Sequence, residues 1–248
     1  MRKEFLSMFG GLLTNAAFSG GASQGNIESR RVRVSSGDEY DYQVYVPAEA
    51  KTAENLPIIV FLHGIRERGS GGFVPNEGAG GALIRSYFAR VPAIVLLPQC
   101  RPGNYWSAPA MDEMVNSALA QTVSEFNADT NRIYLIGVSM GGYGVWHFAA
   151  AYPQKFAALV SICGGSSIQT GDRFAPLARK VSTTPAWLFH GADDPIVPVT
   201  ESRQIAEALK ENGGSVKYNE YENVGHNVWL NVLAEKDLMP WLFAQKLK

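Results

Sequence analysis

The pentapeptide Gly137-Val138-Ser139-Met140-Gly141 stands directly after an apolar run at residues 133–136 and directly before a helical pattern at residues 141–152. A Gly-x-Ser-x-Gly between strand and helix forces a sharp turn. The glycines leave room for it, and the serine hydroxyl stands exposed above the sheet at the helix amino terminus. That is the position of a nucleophile. An alcohol is a weak one, so it needs a base within hydrogen-bond reach, and the base needs an acid to orient it. Both residue types follow downstream. After the run at residues 187–189, the segment His190-Gly191-Ala192-Asp193-Asp194-Pro195-Ile196-Val197-Pro198 brings two carboxylates to the carboxyl end of a strand. Ligands and reacting groups collect at such ends in open sheets. Gly225-His226 follows the last strand in the same way. The chain order is therefore serine, aspartate, histidine, with Asp193 and Asp194 both available as the acid.

These residues need a frame that holds strand ends together. From residue 27 onward the chain alternates short β-branched or aromatic runs with longer helical patterns, which predicts a mostly parallel sheet covered by helices. Residues 27–35 and 42–46 alternate apolar with polar side chains around Ser36, Gly37 and Asp38, and read as an antiparallel hairpin at one edge. Runs at 58–62, 94–97, 133–136, 159–162 and 187–189 are continuously apolar, as in strands buried on both faces, and 216–221 is the last strand. Helical patterns cover 80–90, 111–127, 141–152, 200–212 and 227–247. Segments 66–81 and 166–184 are the least patterned and are expected to be loops long enough to carry function.

Composition removes several other classes. With Lys+Arg 22 against Asp+Glu 23, the net charge of −1 offers no basic excess for nucleic acid. No apolar stretch reaches the roughly 18 residues that span a bilayer. The 248 residues, 46% of them hydrophobic, fit one large domain, placed at residues 27–248. Residues 1–26 stand apart. Arg2 and Lys3 precede a moderately apolar stretch and then small residues, the outline of a secretory signal; Glu4 and several polar residues weaken that outline in favour of a short amphipathic helix. The compartment and the oligomeric state stay open, with a cytoplasmic location favoured over a secreted or periplasmic one. Cys100 and Cys163 make no disulfide framework or CxxC pattern, and no cluster has metal-ligand spacing, so neither a metal nor another cofactor is expected. His63 and His190 precede glycines at strand ends and read as loop-fixing residues, and His147 as a packed helix residue.

Taken with Leu62-His63-Gly64-Ile65-Arg66-Glu67-Arg68-Gly69 and Leu97-Pro98-Gln99-Cys100, these segments resemble the α/β-hydrolases of the compact carboxylesterase type. That group also includes proteins described as phospholipase/carboxylesterases and predicted peptidases. The resemblance covers residues 27–248 and implies a mostly parallel sheet of about eight strands flanked by helices. It implies Asp194, directly before Pro195, as the acid beside Ser139 and His226. It also implies an oxyanion hole made by the backbone N–H groups of Ile65 and Met140. In that fold the strands ahead of Cys100 and Cys163 lie three places apart, too far for a disulfide. The short segment at residues 164–185 leaves no space for a large lid. Aromatic residues near the strand ends, Trp106, Tyr143 and Trp229, are candidates for binding substrate. The expected reaction is hydrolysis of small, short-chain carboxylic esters. Feruloyl or acetyl-xylan esterase, thioesterase and small serine peptidase are the alternatives. A binding scaffold without activity is disfavoured, because all three triad residue types are present.

Overall fold

The structure is a computed structural model that describes residues 25–70, 91–166 and 173–247. The expected helix at 80–90, nearly all of the amino-terminal segment and parts of both expected loops lie outside these residues.

Eight strands form one sheet: β1 (Asn26–Arg33), β2 (Glu39–Val46), β3 (Ile58–Leu62), β4 (Ile94–Pro98), β5 (Ile133–Val138), β6 (Ala158–Ile162), β7 (Ala186–Gly191) and β8 (Val216–Tyr221). Their order is β1-β2-β4-β3-β5-β6-β7-β8. The β1–β2 hairpin joins β4 antiparallel, and every other pair is parallel. The sheet is that expected of the resemblance. It brings the carboxyl ends of β3, β5, β7 and β8 to one edge.

The pleat explains why β3 to β7 are almost wholly apolar. Along β3, Ile58, Val60 and Leu62 enter one core layer while Ile59 and Phe61 enter a second on the opposite face. Period-two alternation thus feeds two cores, and the polar side chains Ser161 and His190 in these strands are buried with hydrogen-bond partners inside the protein. The first layer is closed by α1 (Pro109–Phe126), α2 (Met140–Ala151), α3 (Phe174–Val181) and α4 (Thr200–Glu211). The second is closed in part by α5 (Trp229–Val232) and α6 (Leu238–Phe243), through Val232, Leu238, Met239 and Leu242. Beyond α6, the Leu247 N–H bonds Asn131 O at 2.9 Å, and the Tyr134 hydroxyl donates to Gln245 O at 3.0 Å.

Two expectations need correction. The single helix expected at 227–247 is instead the pair α5 and α6. Pro240 has no N–H for the Lys236 carbonyl, and its ring would clash with that carbonyl in a continuous helix. The chain therefore restarts, with Pro240 in the first turn of α6, where the N–H would be unpaired anyway. Within the segment expected to be a loop at 166–184, α3 forms because Phe174, Leu177, Ala178 and Val181 share one helical face, and the last three are buried. The β6–β7 connection otherwise carries no further helix among the described residues.

Candidate active site

The Ser139 turn is held by close packing of backbone on backbone. Ser139 sits at φ 55°, ψ −116°, between β5 and α2, with its N–H on Ile162 O at 2.8 Å. A Cβ on Gly137 would lie 2.1 Å from Gly141 O, and one on Gly141 would lie 1.9 Å from Leu62 O. Both glycines are required by space, which is the physical content of the motif. Ser139 thereby projects at the head of α2.

Three side chains converge there. Ser139 Oγ lies 2.8 Å from His226 Nε2, and His226 Nδ1 lies 2.7 Å from Asp194 Oδ2. With Nδ1–H donating to the carboxylate, Nε2 is bare and accepts the serine hydroxyl. Asp194 Oδ1 accepts the backbone N–H groups of Ile196 at 2.8 Å and Val197 at 3.0 Å. Burial alone would push the Asp194 carboxyl up, but the hydrogen bonds from His226, Val197 and Ile196 outweigh it and hold the group below the usual carboxylate range. Asp193, the other candidate acid, is exposed and takes no part in this chain.

A cavity of about 520 Å³ opens beside Ser139, walled by Ile65, Tyr105, Trp106, Met140 and Tyr143 with Ile196 at its edge. Ile65 opens a short 3-10 turn (Ile65–Glu67), and Met140 opens α2. Backbone N–H groups at the first position of such turns have no acceptor within the turn and are free to face a ligand. Of the expected aromatic residues, Trp106 forms a wall that is only 1% exposed, because its Nε1–H is spent on His63 O at 3.0 Å. Tyr143 is half-buried in the same cavity. Trp229 lies outside the lining, edge-on to the His226 ring with centroids 6.3 Å apart. Tyr105, 56% exposed, and Ile196, 67% exposed, supply an apolar rim.

His63 fixes this wall from behind. Its Nδ1–H donates to Gly64 O at 2.7 Å, and its Nε2 accepts the Cys100 N–H at 3.0 Å, so one buried ring ties the loops after β3 and β4. Desolvation pushes its pKa down to about 4. Arg68 reinforces the tie at the surface, donating to Ile65 O at 3.2 Å and Asn104 O at 3.0 Å. His147 lies away from the cavity, on Asp112 of α1 at 2.8 Å. His190, expected only to fix a loop, is buried against Asp194.

Cys163, Asp194 and His226 bring ligand atoms within 4.8 Å of one another, the one such group among the described residues. Burial pushes the Cys163 thiol well above its ordinary range. A thiol ligates as the thiolate, and the His226 and Asp194 atoms already engage each other. The set is thus better suited to holding a proton than a metal ion.

A family model described as phospholipase/carboxylesterase matches residues 106–236. A solved thermostable esterase is 31% identical with a TM-score of 0.79, covering 89% of this chain and 63% of that one. Feruloyl esterase B of Neurospora crassa is 30% identical over 57% of this chain and 47% of its own length. Acyl-protein thioesterase 1 of Gibberella zeae is 30% identical over 39% of this chain and 41% of its own length. The match thus spans less than half the length of either curated relative.

Proposed function

The chain belongs to the phospholipase/carboxylesterase family of α/β-hydrolases, and from that premise we propose that it is a serine carboxylesterase acting on small, short-chain esters through an acyl-enzyme. The observation that carries the reading is the unbroken chain of hydrogen bonds from Ser139 through His226 to Asp194. His226 Nε2 takes the Ser139 proton as Oγ bonds to the ester carbonyl carbon. The oxyanion that forms is held by the N–H groups of Ile65 and Met140, which are preorganised and need no side chain. Collapse breaks the bond to the alcohol oxygen, which takes the proton from Nε2. Water then enters, gives a proton to Nε2 and attacks the acyl carbon; collapse returns that proton to Ser139 Oγ and releases the acid. Asp194 keeps the imidazole in the tautomer that accepts the serine proton and stabilises it when charged.

The substrate class follows from the wall. A cavity of about 520 Å³ with apolar sides suits a short acyl group. One observation favours a second reading: Tyr105, Trp106 and Tyr143 present three rings to that space, which would suit the aromatic acid of a feruloyl-type ester. Hydrolysis of p-nitrophenyl esters from acetate to palmitate, with methyl ferulate added, by wild type and Ser139→Ala side by side, decides between them. The expected result is a short-chain preference that falls by roughly 10⁴-fold or more in kcat in the variant. A Ser139→Ala protein that retains near wild-type turnover would refute the assignment, and a marked preference for methyl ferulate would establish the second reading.

A further inference from the structure

His190 closes β7 with its side chain completely buried. Its Nε2 lies 3.0 Å from Val197 O and 3.3 Å from Asp194 Oδ2. Val197 O can only accept, so Nε2 carries the hydrogen and donates it to that carbonyl, with Asp194 Oδ2 as a longer second contact of the same N–H. Nδ1 is then bare and accepts the hydroxyl of Ser202, 2.7 Å away on α4 and equally buried. The ring is locked in one neutral tautomer, and it aims a donor at the same carboxylate oxygen that receives His226.

We infer that His190 is a positioning residue for the proposed reaction: a second histidine on Asp194, whose Nε2–H fixes the rotation of the carboxylate so that Oδ2 faces His226. The inference rests on the serine-hydrolase reading above. A residue that only clamped the loop would need Val197 O alone; the contact to Oδ2 goes beyond that. With it, both oxygens of Asp194 are held: Oδ1 accepts the Ile196 and Val197 amides, and Oδ2 accepts His226 with the His190 Nε2 beside it at 3.3 Å. Such a carboxylate has no lower-energy rotation to turn to. The titratable groups facing His190 among the described residues are Asp194, His226 and Glu220, its partner across β8. Glu220 is itself engaged by Arg203. Burial holds His190 neutral, so it donates without adding charge beside the imidazole that must become charged.

The test compares wild type with His190→Leu, His190→Gln and Ser202→Ala in the full chain on p-nitrophenyl acetate, with active sites counted by a fluorophosphonate. His190→Leu is expected to lose between about 10-fold and 100-fold in kcat per titrated site, the value of one hydrogen bond to a charged group. KM should stay within about twofold, because the ground-state ester does not touch His190. The acid limb of kcat/KM should move to higher pH, since a carboxylate with one donor fewer concentrates more charge on the imidazolium of His226. His190→Gln, whose amide N–H can reach the same carboxylate, should recover most of kcat and the wild-type acid limb. Ser202→Ala keeps the ring but frees its tautomer, and should move kcat and the acid limb in the same directions by less. A role confined to loop packing would reduce the number of titrated sites and the unfolding temperature, with kcat per site and the acid limb unchanged. That pattern in His190→Leu and Ser202→Ala overturns the inference, and in Ser202→Ala alone it does so if the leucine variant does not fold. Ser139→Ala, measured alongside, separates the two failures: activity persisting there sinks the hydrolase reading, whereas activity lost there with an unchanged His190→Leu sinks only the positioning role.

Discussion

Acidification should destabilise this protein, and one identifiable ring accounts for a measurable share of the loss. His63 is 1% exposed, and burial lowers its pKa from 6.5 to about 4. The sign follows from proton linkage. Below pH 6.5 the unfolded chain takes up a proton at this position that the folded state refuses until about pH 4, so stability present at neutral pH is lost as pH falls through that window. Between pH 7.5 and pH 5 the loss amounts to about 2 kcal/mol, from 1.36 kcal/mol for each tenfold difference in proton affinity. In a chain of this length that is a fall of roughly 4–8 °C in Tm. Urea unfolding followed by tryptophan fluorescence at the two pH values, on wild type and on His63→Asn, isolates the effect. The asparagine does not titrate, while every other ionisable group is common to both proteins and cancels. The stability advantage of wild type over the variant should therefore shrink by about 2 kcal/mol on acidification. An advantage that stays constant to within about 0.5 kcal/mol would show that the folded protein charges His63 freely, and would refute the reading of this ring as a neutral tie between two loops.

Two further outcomes follow from the cavity and the turn. Gly141→Ala places a Cβ against the Leu62 carbonyl, a backbone atom that cannot rotate away, and should cost about 3 kcal/mol or more in urea unfolding; a cost below about 1 kcal/mol would mean that β3 yields to the turn. Tyr105→Ala removes an exposed ring of the rim, so stability should hold within about 0.5 kcal/mol while KM for aromatic esters rises and kcat stays near wild type. An unchanged KM across the ester panel would remove Tyr105 from the substrate's path.

Most of the frame was legible because the central strands β3 to β7 are buried on both faces, which leaves nearly uninterrupted apolar runs in the chain. Ser139 and Asp194 follow two such strands, while His226 follows β8, an edge strand with Lys217, Asn219 and Glu220 among its six residues; strand placement brings all three to one edge. The elements that escaped are those whose signals are short or conflicting. α3 is only eight residues long and lies between polar segments, and its four-residue apolar face is easily passed over. The pattern at residues 227–247 does have helical period, but Pro240 carries a backbone constraint that periodicity ignores. Trp106 was legible as an aromatic residue near a strand end, yet not as one buried to 1%, because its burial depends on the His63 carbonyl far away in sequence. The contact of His190 with Asp194 was illegible for a similar reason. The two are four residues apart, and only the path of the loop through Val197 turns the ring toward the carboxylate.

The left-handed backbone of Ser139 has a consequence for portability. The glycines of the motif permit it, but its supports lie outside: the serine N–H is held by Ile162 on β6, and the space for Gly141 is defined by Leu62 on β3. Grafted into another loop, the same pentapeptide would relax to an ordinary turn with its hydroxyl in water. The geometry of the turn belongs to three neighbouring strands, and the motif is the part of their agreement that happens to be contiguous.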